Sequence, residues 1–245
     1  MQQIGYIHSI ESFGTLDGPG IRYVIFLQGC PLRCSFCHNP DAWRMGTGKQ
    51  QTADWLVGNI KTYLPYFKAS GGGVTVSGGE PLLQSEFLLT LFSKLKNLKV
   101  HTAIDTSGFA EMEKVKELLN YVDLVLLSLK HANPERYPEI CGRSNERTNA
   151  FARYLTKINK PAWIRYVIIP GITDDEDSLK RLAAWIKPMN NVTRLELLPY
   201  HNMGVYKWQE LGMKYTLSDV LPPGAEHMNE LRKQLAGLLP GVKTV

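Results

Sequence analysis

The chain reads as an α/β protein built on a parallel sheet, and three observations carry that reading. Short β-branched or aliphatic runs alternate with longer amphipathic stretches along most of its 245 residues. Such alternation makes the helices crossovers between parallel strands. Six strand-like runs fall between residues 22 and 199, roughly 30 residues per unit, the size of a β/α repeat. Chemically active residues sit at or just after the C-terminal ends of five runs: Cys30, Ser77-Gly78-Gly79-Glu80, Asp105-Thr106, Ser128 with Lys130, and Tyr200-His201. Parallel-sheet and barrel enzymes assemble their sites at that edge.

The elements follow in order. The first run, 22–29, ends on Gly29-Cys30. A helical pattern over 52–67 leads to the run 73–77, which delivers Gly78-Gly79-Glu80; two glycines permit close backbone approach to a ligand, or a plain turn. Helix 85–95 precedes the run 100–105, where His101-Thr102-Ala103-Ile104 ends on Asp105. Helix 111–119, run 123–129, helix 145–158 and run 162–169 come next. Arg165 interrupts that last apolar run and by alternation shares a face with Trp163 and Val167. A buried Arg needs an anion; within the chain Asp105 and Glu80 are the candidates. Thr173-Asp174-Asp175-Glu176-Asp177 opens a helix with a capping residue and an acidic first turn that suits the helix dipole. Run 194–199 leads to Tyr200-His201. A final helix, 225–239, sets Met228, Leu231, Leu235 and Leu238 on one face. No repeat, low-complexity tract or linker intervenes, so residues 1–245 are expected to form one domain.

Composition excludes several classes. The net charge is +5 and no run of five Lys or Arg occurs, so a nucleic-acid stripe is not indicated. No stretch of about 18 apolar residues suggests a membrane span. The start lacks a basic and then apolar leader, so no secretion signal is expected and a cytoplasmic location is.

Three of the four cysteines, Cys30, Cys34 and Cys37, lie within eight positions with the spacing C-x3-C-x2-C. Three cysteines cannot pair among themselves without a leftover, and metal or redox chemistry is the better account. A structural zinc site needs four ligands. His38 directly follows Cys37, where two adjacent residues rarely reach one ion, and Cys141 is over 100 residues away. Three thiolates can instead hold three irons of a four-iron cluster, leaving the fourth open to bind and activate a ligand. Cys141 matches no such position and reads as a bystander thiol. A non-catalytic iron–sulfur or zinc protein is the rival from another class.

C-x3-C-x2-C with Phe36 before its last Cys resembles the signature of the radical S-adenosylmethionine enzymes. Asp17-Gly18-Pro19-Gly20-Ile21-Arg22, Gln28-Gly29-Cys30, Cys37-His38-Asn39, Ala69-Ser70-Gly71-Gly72-Gly73-Val74-Thr75, Trp163-Ile164-Arg165-Tyr166-Val167 and Leu197-Leu198-Pro199-Tyr200-His201 narrow the resemblance to their glycyl-radical-enzyme activating members. The resemblance implies a partial (β/α)6 TIM-like barrel that does not close. It implies one [4Fe-4S] cluster on Cys30, Cys34 and Cys37, reductive cleavage of S-adenosylmethionine, and hydrogen abstraction from a partner glycine by the 5′-deoxyadenosyl radical. Phe36, Gly78, Gly79, Glu80, Asp105, Ser128, Lys130, Arg165 and His201 are the implied cofactor contacts; for Arg165 the partner is the cofactor's carboxylate. Asp105, Thr106 and Ser128 mark an implied monovalent-cation site, where the family pattern has Asp at the position of Ser128. Asp17 is an implied contact to the partner. Pyruvate formate-lyase is the implied protein substrate, and reduced flavodoxin or a similar carrier the electron donor. Another glycyl radical enzyme or a small molecule is the alternative substrate. His38 and Asn39 are expected to fix the cluster loop rather than ligate iron.

Overall fold

The computed structural model describes residues 3–245. They divide into two compact units, one of residues up to Pro31 with Ala42–Leu126, the other of Leu32–Asp41 with Leu127–Val245.

The first unit holds β1 (Ile4–Gly14), β2 (Arg22–Leu27), β3 (Lys49–Thr52), α1 (Ala53–Ile60), α2 (Leu64–Ser70), β4 (Gly73–Gly78), α3 (Ser85–Asn97), β5 (His101–Thr106) and α4 (Met112–Val115). Its strand order is β3-β1-β2-β4-β5, followed by β6 (Leu124–Leu129), through which the chain passes to the second unit. β2, β4 and β5 are parallel, in the register Arg22↔Gly73↔His101. Five of the six residues of β2 are buried, as expected of a strand covered on both faces. α3 supplies the packing: Phe87, Leu88, Leu91, Phe92 and Leu95 recur at helical spacing and are all buried.

The second unit holds α5 (Tyr137–Cys141), α6 (Glu146–Lys157), β7 (Ala162–Ile168), α7 (Glu176–Ile186), β8 (Val192–Pro199), α8 (Val205–Glu210), α9 (Ala225–Leu238) and β9 (Lys243–Thr244). β7, β8 and β9 are parallel neighbours. Asp175 caps α7: its carboxylate accepts from the Ser178 N–H at 2.9 Å and the Ser178 hydroxyl at 2.7 Å, with Glu176 and Asp177 in the first turn. Thr173, by contrast, is buried and ties Ile169 N–H to the Val167 carbonyl.

Four expectations change. The sheet is mixed: β1 runs antiparallel to β2 and β3, and neither β1 nor β3 was among the six runs. The helix expected over 52–67 is broken into α1, a 3-10 turn at Lys61–Tyr63, and α2. Pro65 sits in the first turn of α2, where a missing N–H is harmless, and in a continuous helix it would clash with the preceding turn. The helix expected over 111–119 shortens to α4 and a 3-10 turn, Leu118–Tyr121. In α9 the face of Met228, Leu231 and Leu235 is buried, but Leu238 is exposed and Leu239, past the helix end, is buried.

Candidate active site

In the first unit the site begins where β2 ends. Gly29, with φ +101°, turns the chain; its N–H reaches the Ala42 carbonyl at 2.7 Å, and the Cys30 N–H reaches that of Trp43 at 3.1 Å. The end of β4 locks onto this turn. Gly79 donates to the Leu27 carbonyl and Glu80 to the Gly29 carbonyl, both at 2.8 Å. A Cβ at Gly78 would lie 2.2 Å from Leu27 N, and one at Gly79 only 2.1 Å from the Gly29 oxygen. The two glycines are therefore required by the neighbouring backbone that carries Cys30.

Glu80 is buried and its carboxylate is taken up by the protein. Oε1 accepts from Leu82 N–H at 3.1 Å and the Thr106 hydroxyl at 2.5 Å; Oε2 accepts from Ser107 N–H at 2.9 Å and its hydroxyl at 2.5 Å. The Thr106 oxygen accepts from Gly108 N–H, which leaves its proton for Glu80. Burial pushes the Glu80 carboxyl upward against the pull of these donors. Glu80 thus braces the turn after β4 against the end of β5. Asp105 accepts from the Ser77 hydroxyl at 3.1 Å, joining the same two strand ends.

In the second unit two helices absent from the sequence reading hold the cysteine loop. The last carbonyls of α5 accept its amides, Cys141 O from Arg33 N–H and Ile140 O from Ser35 N–H, each at 2.8 Å. α8 holds the other end: the Trp208 indole donates to the Cys37 carbonyl at 2.9 Å, and Lys207 bonds Asn39 at 2.8 Å and Asp41 at 3.0 Å. His38 donates from Nε2 to the His201 carbonyl at 3.0 Å, and the two rings stack at 3.8 Å. Burial lowers the His38 and His201 imidazoles below the ordinary range, so both are neutral at pH 7. A Cβ at Gly204 would come within 2.7 Å of His38 Cα, so the stack needs glycine there. Phe36 is buried with Lys130 Nζ 5.8 Å above its ring, and Ser128 is half-buried near the end of β6.

Arg165 finds a partner that neither candidate from sequence supplied. Its Nε donates to Glu196 Oε2 at 2.9 Å, the two residues facing each other in the β7–β8 register. Glu196 Oε1 also pairs with Arg194, whose guanidinium stacks 4.4 Å from the Trp163 ring. Cys141 is fully buried in α5; its thiol donates to the Tyr137 carbonyl, and burial raises its pKa. Glu196, Lys207, Trp208 and Gly204 were missed, and single-sequence patterning carries no signal for them.

None of the four cysteines is in a disulfide. Among the described residues no three His, Cys, Asp or Glu side chains converge as ligands of one metal ion, whereas a four-iron cluster spreads its thiolates over separate irons. His201 Nδ1 is buried without a hydrogen-bond partner, a polar atom left for a bound group. The donor set thus fits an iron–sulfur cluster better than a single zinc.

Residues 24–183 match the model of the Radical SAM superfamily, and the chain is a radical S-adenosylmethionine enzyme. The crystal structure of Streptococcus suis SuiB bound to precursor peptide SuiA shares its fold, with a TM-score of 0.67 at 20% identity over 94% of this chain and 49% of that one. A radical SAM methyltransferase from Sphaerobacter thermophilus, at TM-score 0.67 and 17% identity, covers 98% of this chain and 76% of its own. The fold is the partial (β/α)6 barrel of that superfamily. The pyruvate formate-lyase-activating enzyme of Staphylococcus epidermidis is 48% identical over 233 residues, 92% of this chain and 93% of that protein. The chain belongs to the pyruvate formate-lyase-activating enzyme family. No helix among the described residues is long and apolar enough to cross a membrane.

Proposed function

We propose that this chain installs a glycyl radical on pyruvate formate-lyase in an anaerobic or microaerobic cytoplasm, with residues 1–245 acting as one catalytic domain. The observation that carries the reading is the cysteine loop: three cysteines at C-x3-C-x2-C spacing, none in a disulfide, on a loop tied by its backbone amides and carbonyls. Cys30, Cys34 and Cys37 would each hold one iron of a [4Fe-4S] cluster. When bound, that cluster supplies the one-electron cleavage of S-adenosylmethionine that lets hydrogen be taken from the partner glycine. Reduced flavodoxin or a similar one-electron carrier provides the electron.

The chain's own residues bind and orient. Gly78 and Gly79 permit close backbone approach at this strand end, and would hold the cofactor's amino group there. Arg165, steadied by Glu196, would meet the cofactor carboxylate through a charge-assisted contact. His201 Nδ1 would take a cofactor hydrogen bond, and Phe36, Lys130, Asp105 and Ser128 would each be further cofactor contacts. Glu80 acts by bracing the turn after β4 against the end of β5 rather than by free charge. A monovalent cation beside Asp105, Thr106 and Ser128 completes the reading; Ser128→Asp should strengthen the response to monovalent cations, and an unchanged response counts against Ser128 as a ligand.

The test is anaerobic reconstitution with iron and sulfide, then dithionite, S-adenosylmethionine and purified pyruvate formate-lyase. A glycyl radical signal by EPR with matching 5′-deoxyadenosine is expected. Turnover of a small molecule without that signal, or stoichiometric zinc without sulfide, overturns the proposal.

A further inference from the structure

We infer that the Ser35 hydroxyl donates a hydrogen bond to a sulfur of the bound cluster and so raises the cluster's reduction potential. The inference rests on the function proposed above, with Cys30, Cys34 and Cys37 as ligands, and adds a residue that tunes that site.

The cysteine loop pairs its polar groups with care. Arg33 and Ser35 give their N–H groups to the Cys141 and Ile140 carbonyls, each at 2.8 Å, and Cys37 gives its own to the Cys34 carbonyl at 3.0 Å. The Cys37 carbonyl accepts from the Trp208 indole, His38 reaches the His201 carbonyl, and Asn39 accepts from Lys207. Against that background Ser35 Oγ is the exception: it is buried and meets no hydrogen-bond partner in the protein. A hydroxyl can rotate its proton toward any acceptor within reach, so no suitable protein acceptor lies beside it. Burying such a group unpaired costs about 1–3 kcal/mol.

The place of this atom in the molecule points to its acceptor. Among the described residues, four buried side-chain atoms lack a hydrogen bond: Ser35 Oγ, His201 Nδ1, Arg194 Nε and Thr244 Oγ1. Arg194 Nε still stands 3.0 Å from a Glu196 oxygen, and Thr244 belongs to the terminal strand β9. The other two belong to the cysteine loop and to the ring that stacks on its His38. Ser35 directly follows Cys34 and precedes Cys37 by two positions. The acceptors that ligation adds beside Ser35 are therefore sulfurs. Hydrogen bonds to sulfur are one of the levers that set the potential of an iron–sulfur cluster. An added electron makes those sulfurs more negative, which strengthens a bond from a hydroxyl and favours the reduced form. That form is the one needed for one-electron cleavage of S-adenosylmethionine, so Ser35 would ease reduction by the carrier.

The test compares Ser35→Ala and Ser35→Thr with wild type. Thermal unfolding of the iron-free Ser35→Ala chain should match or exceed wild type, because no bond within the protein is lost. After reconstitution, and without S-adenosylmethionine, Ser35→Ala should hold the same iron and sulfide. Its midpoint potential should fall by about 59 mV, a roughly tenfold change in the reduction equilibrium. Ser35→Thr keeps the hydroxyl and should stay near wild type. An unchanged potential in fully loaded Ser35→Ala overturns the role of Ser35 alone. A lower melting temperature of its iron-free chain does the same, since the hydroxyl would then be held by the protein or a buried water. A Ser35→Thr potential that falls as far as that of Ser35→Ala assigns the effect to packing and also overturns it. Stoichiometric zinc without sulfide in wild type overturns the proposed function, and the role of Ser35 with it.

Discussion

Gly79→Ala is the sharpest test of how the turn carrying Cys30 is built. The added methyl would sit 2.1 Å from the Gly29 oxygen, 2.6 Å from its carbon and 3.2 Å from Cys30 Cβ. The obstacle is backbone, and the other side of that backbone is pinned to Ala42 and Trp43. Restoring contact distance requires a shift of roughly 1 Å, and overpacking of this kind costs about 1–3 kcal/mol. The shift also strains the 2.8 Å bond from Glu80 N–H to the Gly29 carbonyl. For a chain of this length each kcal/mol lowers Tm by about 2–4 °C. A misplacement of about 1 Å near the reacting groups costs on the order of 100-fold in rate. Thermal unfolding of the iron-free chain, iron and sulfide content after reconstitution, and the rate of 5′-deoxyadenosine release read the three effects. Gly58→Ala is the internal control: nothing lies within 4 Å of its Cβ position, inside α1, and alanine there should raise stability by about 0.5–1 kcal/mol. A Gly79→Ala chain that melts with wild type and binds a full cluster would refute the reasoning.

Trp208→Phe keeps the edge contact with Tyr215 but leaves the Cys37 carbonyl without its indole donor. Loss of about 1 kcal/mol should appear as faster iron loss to a chelator, and an unchanged rate would remove Trp208 from the support of the loop. Asp123→Asn tests the acid limb of stability. Burial alone would raise the Asp123 carboxyl, but Lys96 and the Thr102 amide outweigh it and hold it below the ordinary range. Its stabilisation is therefore complete above the ordinary carboxylate pKa and lost as pH falls through the lowered one. Wild type should lose more Tm than the variant between about pH 5 and pH 3; parallel curves would contradict this. Cys141→Ala retains the carbonyl that holds Arg33, so cluster content and activity should be nearly unchanged. Loss of the cluster would show that the thiol itself takes part.

The parallel strands and their chemical ends were legible because each is a local pattern. β2, β4 and β5 bury almost every side chain, so their apolar runs stand out. β1 did not stand out: over its last residues it is mostly exposed and twice shifts register, which dilutes the period of two. α5 and α8 escaped for another reason. At five and six residues they are too short to carry a periodic signal. Arg165 was read as needing an anion and does have one, but Glu196 lies 31 positions away and only the β7–β8 register aligns them.

By itself the sequence determined the chemistry. Three cysteines in eight positions, with glycines at a strand end and an arginine inside an apolar strand, point to an iron–sulfur site with room for a ligand, because ligand type and spacing are local properties of the chain. Tertiary structure decided what holds that chemistry in place. The amides of the cysteine loop find their acceptors at the end of α5, Cys37 is held by Trp208, and Glu80 is saturated by Thr106 and Ser107. It also showed that Gly78 and Gly79 are required by the backbone of Leu27 and Gly29. These are long-range pairings and steric limits, which exist only once distant strands and helices are brought within hydrogen-bond reach.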